Sequence, residues 1–96
     1  MTRPKALEEA EIEAKLADLE GWALVDGKLH RTFRFANFVE AFRFTASTAL
    51  VAEKMDHHPE WFNVYNRVEV TLATHDAGGV TELDTRMAAF MNEIAG

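Results

Sequence analysis

The chain has 96 residues, is 48% apolar with ten aromatic side chains, and contains no cysteine. That is the size of one domain with one modest core; it excludes intrinsic disorder, disulfides, thiolate nucleophiles and cysteine-based zinc sites. Formal net charge is −6 and the ten basic residues are spread thinly, so direct binding of DNA or RNA through a clustered basic patch is not expected.

A single domain over residues 1–96 is expected, with no internal repeat, low-complexity tract or linker. The N-terminal run MTRPKALEEAEIEAKLADLE is charged and lacks the apolar stretch of a signal peptide. No apolar segment approaches the roughly 20 residues needed to cross a bilayer. The expectation is therefore a soluble cytoplasmic protein with no membrane partner.

In chain order, Ile12, Leu16 and Leu19 recur at helical spacing among Glu, Lys and Ala, and predict a first amphipathic helix stopped by Gly21. The segments WALV and KLHRTFRF flank Asp26-Gly27, a strong two-residue hairpin signal. In the second of these strands Leu29, Phe33 and Phe35 share one face and Lys28, His30, Thr32 and Arg34 the other, with Arg31 breaking the alternation. Asn37 caps a long second helix running to about Met55, whose apolar arc is wider than one core-facing stripe requires. The excess is expected to meet another copy of the chain. Pro59 forbids continuation and pushes His58 out of helical geometry.

A second hairpin is expected from a short strand near Phe62–Tyr65, a turn at Asn66-Arg67 and a strand from Val68 to Thr74. Val68, Val70 and Leu72 would point to the core. The loop DAGG leads to Thr81-Glu82-Leu83-Asp84, a capping-box start for a third helix with Leu83, Met87, Phe90, Met91 and Ile94 as its apolar stripe. The order αββαββα predicts an α+β domain, a four-stranded antiparallel sheet with three helices on one face. So short a sheet leaves an exposed edge, a second route to self-pairing.

His57 and His58 are expected at the end of a helix, His75 at the end of a strand and Asp84 in the first turn of the next helix. Such termini can converge into one cleft. Imidazole gives and takes protons near neutral pH, and a carboxylate beside it holds its tautomer; Glu53 and Asp84 are candidates. The residues themselves leave three readings open. HHP reads as a polar helix end, as part of a three-histidine metal site, or as part of a metal-free acid–base site. Adjacent histidines diverge on regular backbone and no HExxH spacing is present, which weighs against metal. Trp61 is either a strand-packing residue or the wall of a site for a flat heteroaromatic ligand, and His30 is expected as an exposed strand residue outside the group.

The run Glu53-x3-His57-His58-Pro59-x5-Tyr65-x9-His75-x8-Asp84 resembles the signature of the pterin-4a-carbinolamine dehydratases. Gly21-Trp22, the FxFxxF-like segment Phe33–Phe38, DHHPEWFNVYNRV and LATHDAGGVTELD are similar to that family in order and spacing, from about Leu7 to Ile94. The resemblance implies a four-stranded antiparallel sheet with three helices, assembled as a homodimer or homotetramer. It implies a hydro-lyase that dehydrates 4a-hydroxytetrahydrobiopterin, the product of aromatic amino acid hydroxylases, to quinonoid dihydropterin, so that tetrahydrobiopterin is recycled. No metal, redox cofactor or covalent nucleophile is implied. By position, His57 and His75 would be the proton-transfer pair, His58 would bind and orient the pterin, and Asp84 would fix a histidine. Glu53, Asp56, Ala73, Thr74, His75 and Asp76 would contact the pterin, and Trp61 would line the pocket. The family resemblance also carries a rival reading, a binding module that acts as a dimerisation or regulatory partner of a transcription factor or in hydroxylase expression.

Overall fold

In chain order the elements are α1 (Glu9–Leu16), β1 (Ala23–Val25), β2 (Lys28–Arg34), α2 (Phe38–Met55), β3 (Glu60–Val64), β4 (Arg67–Leu72) and α3 (Glu82–Ala95), with a 3₁₀ turn at His75–Ala77. This computed structural model describes residues 3–96; Met1 and Thr2 of the charged N-terminal run lie outside the described residues. The sheet is antiparallel throughout, in the order β1-β2-β4-β3. The αββαββα order and the α+β class are those expected from the sequence.

The period-two pattern explains which face is covered. Leu29 lies opposite Leu72 and Phe33 opposite Val68, and these four with Val70 are at most 2% exposed. Ile12 of α1, Ala41, Phe44 and Ala52 of α2, and Met87, Ala88 and Met91 of α3 close over them into one core. Phe44 packs on Phe33 at 4.6 Å and on Phe35 at 5.1 Å between ring centroids, so α2 is anchored at the end of the sheet where β2 leaves it. On the opposite face Phe62 and Val64 remain exposed.

Arg31 does not break the alternation geometrically; it shares the core-facing side with Leu29 and Phe33. Its guanidinium escapes burial at the rim, donating to the Glu20 carbonyl at 2.9 Å and to Asn92 Oδ1 at 2.5 Å, and lying 4.2 Å over the Phe33 ring. Gly21 makes this possible. Its φ is +84°, and a Cβ there would stand 2.6 Å from Arg31 Nε.

Besides β3, which begins at Glu60 rather than near Phe62, three boundaries differ from expectation. The first helix ends at Leu16 rather than running on to Gly21, because Leu19 and Trp22 are delivered to the core by i→i+3 turns (Leu19 N–H to Leu16 O, 3.1 Å; Trp22 N–H to Leu19 O, 3.1 Å). The second hairpin turns at Tyr65-Asn66, one residue earlier than expected, since Val64 pairs with Arg67. Asn66 is held there by bonds to and from the Phe35 main chain, and Asn63 Nδ2 spans the turn to the Tyr65 and Arg67 carbonyls. Finally, β4 stops at Leu72, so His75 opens a 3₁₀ turn instead of ending a strand.

Candidate active site

The site begins where α2 stops. Asp56 adopts the left-handed conformation (φ 51°, ψ 45°), and the His57 N–H reaches back to the Ala52 carbonyl at 3.0 Å. That six-to-one bond is a Schellman closure, with aspartate in the place glycine usually takes. The reversal turns His57 inward, to 5% exposure, and leaves His58 in solvent. Adjacent histidines thereby acquire different surroundings.

The start of α3 supplies the partner. Thr81 is its N-cap and Asp84 its third residue, joined in a capping box that turns the Asp84 carboxylate back toward the helix start, where the dipole favours negative charge. Asp84 has no solvent exposure. Its Oδ2 accepts from the Thr81 N–H at 2.9 Å and from Thr74 Oγ1 at 2.8 Å, and its Oδ1 lies 2.5 Å from His57 Nε2. The directions of these bonds follow from the donor inventory. The Leu83 N–H donates to Thr81 Oγ1, which donates to Thr74 Oγ1, which donates to Asp84. With Oδ2 receiving two donors and the carboxylate acting as acceptor, His57 Nε2 carries the proton and Nδ1 is left for other work. Among the described residues no buried side-chain polar atom lacks a partner, so the network is closed.

Thr74 is fixed from behind by its bridge to Gly79 (N–H to O, 2.9 Å), which places the 3₁₀ turn and exposed His75 beside the end of α2. A cleft of about 190 Å³ results. The three histidines line it together with Asp56, Asp76, the Ala73-Thr74 segment and Arg3. His58 is steadied from the solvent side by Glu53, Oε1 to Nε2 2.7 Å. Both partners are largely exposed, so the pair orients more than it stabilises.

Seven residues expected at a site therefore share the cleft: Asp56, His57, His58, Ala73, Thr74, His75 and Asp76. Asp84 lies beneath it through His57, and Glu53 reaches it through His58 rather than His57. Trp61 is not among the lining residues. The strand starts at Glu60, immediately after Pro59, and carries Trp61 into register with Val70, where it borders a depression shared with His30 and Glu69. Arg3 and Thr81 were not anticipated. Thr81 had a signal, since a capping box with aspartate at its third position commits that carboxylate to the helix start; Arg3 had none. Among the described residues, no group of three or more His, Asp or Glu side chains has the arrangement of a metal site.

Fold and site define a class: a one-domain α+β protein with a histidine-lined cleft where the ends of α2, β4 and α3 meet. The chain belongs to the pterin 4 alpha carbinolamine dehydratase family, whose model matches residues 5–94. It is 59% identical over 91 residues to a protein of Rhizobium johnstonii, covering 93% of this chain and 90% of the relative. It is 59% identical over 92 residues to one of Brucella ovis, covering 94% and 95%. Both relatives bear the name "putative pterin-4-alpha-carbinolamine dehydratase". A crystal structure from Brucella melitensis, described as a "transcriptional coactivator/pterin dehydratase", superposes with a TM-score of 0.94 at 56% identity, over 96% of this chain and 100% of that one.

Proposed function

We propose that the protein is a hydro-lyase that dehydrates 4a-hydroxytetrahydropterins by histidine acid–base catalysis without metal. The observation that carries this reading is the buried Asp84–His57 pair set into the wall of a histidine-lined cleft. A polar helix end would need neither the buried carboxylate nor the threonines that hold it.

The reaction requires one proton removed from ring nitrogen 5 and one delivered to the 4a-hydroxyl. The C4a–O bond then breaks, water leaves, and a C4a=N5 double bond forms to give quinonoid dihydropterin. His57, with Nε2–H committed to Asp84, takes the N5 proton on Nδ1, and the carboxylate behind the ring faces the charge that develops. His75, on the other element of the cleft, gives its proton to the departing hydroxyl. His58, braced by Glu53, orients the pterin, and Asp56, Asp76 and the Ala73-Thr74 main chain bond its polar edge. The protein would serve in the cytoplasm, returning the pterin product of an aromatic amino acid hydroxylase to the recycling route.

A second reading is favoured by one feature, the uncovered apolar stripe of α2, where Val39 and Phe42 are more than half exposed and Leu50 is 76% exposed. That stripe suits a homodimer or homotetramer, and also suits a role as a dimerisation or regulatory partner of another protein. The deciding assay follows the decay of chemically generated 4a-hydroxytetrahydropterin. Catalysed decay, lost in a folded His57→Ala protein, supports the lyase. A decay rate equal to that of buffer overturns it, and a His57→Ala protein that keeps its biological role assigns that role to binding.

A further inference from the structure

The cleft is smaller than the roughly 300–1,000 Å³ usual for small-molecule sites. Beside it lies a larger groove of about 560 Å³ between the C-terminal half of α2 and the N-terminal half of α3. Arg3 lines both, so the two spaces are neighbours, and together they fall within the usual range.

The floor of the groove is apolar and comes from Val51 and Met55 on α2 and Leu83 and Phe90 on α3. Its rim is basic. Lys54 and Arg86 are exposed on the facing helices, one turn from the floor residues, and Arg3 stands at the junction with the cleft. Glu82 is the single carboxylate on the lining. None of the three cations forms an ion pair with another described residue. In a chain of net charge −6 with only ten basic residues, three around one groove form a local reversal of sign. An apolar floor with unpaired cations at its rim is complementary to an apolar or aromatic group that ends in an anion.

We infer that the groove is a specificity subsite for the 6-substituent of the pterin, and that the preferred substrates carry a substituent ending in carboxylate or phosphate. This rests on the dehydratase reading of the cleft. With the ring among the histidines, a long substituent passes Arg3 and lies along α2 and α3, its apolar part on Met55 and Phe90 and its anion between Lys54 and Arg86. A short neutral substituent stops before the groove.

The test compares 4a-hydroxytetrahydropterins bearing a neutral hydroxyalkyl group, an arylamido group ending in carboxylates, and a chain ending in a phosphate monoester. The wild-type protein should show a lower KM for the anionic substrates, and the preference should vanish between about 0.01 and 1 M salt. Lys54→Gln and Arg86→Gln should each raise KM for the anionic substrates by about two- to fivefold while leaving the neutral substrate unchanged, and Lys54→Arg should restore the preference. The anion whose KM responds more to these changes identifies the source. Equilibrium binding of the stable oxidised pterins, read by fluorescence, separates the two levels. Normal turnover of the neutral substrate with no charge preference overturns the subsite alone. Absence of any turnover, with anionic pterins still bound in a manner dependent on Lys54 and Arg86, overturns the dehydratase reading alone. Absence of both turnover and charge-dependent binding overturns the subsite as well.

Discussion

The two residues of HHP divide their labour because one left-handed aspartate separates their directions. His57 is buried on a carboxylate, and His58 is exposed on a solvent-facing one. If His57 and His75 each exchange a proton in the transition state, replacing either should chiefly lower kcat, by about 10²–10⁴-fold. Effects near the lower bound are expected, because a tertiary carbinol already expels hydroxide readily. His58→Ala should raise KM more than it lowers kcat. Single-turnover rates check both, and wild-type turnover in folded His57→Ala and His75→Ala proteins would refute the assignment. Thr74 offers a subtler probe. Thr74→Val removes one of the two donors to Asp84 Oδ2 and deprives the Thr81 hydroxyl of its acceptor, at a cost of about 1–3 kcal/mol in stability. Thr74→Ser keeps the hydroxyl and should restore both stability and kcat; if thermal unfolding shows Val and Ser equal, the chain of hydroxyls does not position the carboxylate.

At the scale of elements, the Asp56 closure sets the direction in which the chain leaves α2. A left-handed residue other than glycine is held there against a penalty of roughly 1–2 kcal/mol. Asp56→Gly should therefore leave stability unchanged or raise it, whereas Asp56→Ala should lower it by about 1 kcal/mol. Denaturant midpoints decide, and equal stability of the Ala and Gly proteins would mean the closure is not strained. The same closure shows what was legible in the sequence. Pro59 announced that α2 ends, and Asn37 announced where it starts, because both act through local backbone chemistry. The capping box at Thr81–Asp84 was legible for the same reason, but the burial of Asp84 was not, since it depends on His57 and Thr74 closing over the carboxylate from other elements. Boundaries that depend on remote partners were not. The Tyr65-Asn66 turn is held by Phe35 across the sheet, and the end of α1 is decided by where Leu19 and Trp22 find the core. For the site, residue types and spacing named the histidines, but which histidine meets which carboxylate required the tertiary fold. Arg3, far from the signature in sequence, was invisible until α3 and the N-terminal segment came together.

For the whole molecule, apolar surface is unevenly covered, since one monomer buries only one side of its longest helix. Ala41, Phe44, Thr48 and Ala52 turn into the core, while Val39, Phe42, Ala46, Ala49 and Leu50 form a second stripe at helical spacing that stays exposed. Both β1 and β3 are edge strands, and β3 presents Phe62 and Val64 to solvent. Leaving so much apolar area in water forgoes about 25 cal/mol for every Å² that a partner could cover. A homodimer or homotetramer is therefore expected at micromolar concentration, with a mass that is a multiple of the 10.8 kDa chain. Stability and assembly are separable by substitution. Phe42→Glu and Leu50→Glu alter residues that touch no core in the monomer, so within an isolated chain each should change stability by no more than about 0.5 kcal/mol. In an assembled protein the same carboxylates would be buried against apolar side chains of the next copy, and dissociation to folded monomer should follow. Light scattering with circular dichroism reads mass and fold together. A wild-type protein that runs only at 10.8 kDa, or variants that keep the wild-type mass, would show that the α2 stripe does not join copies of this chain.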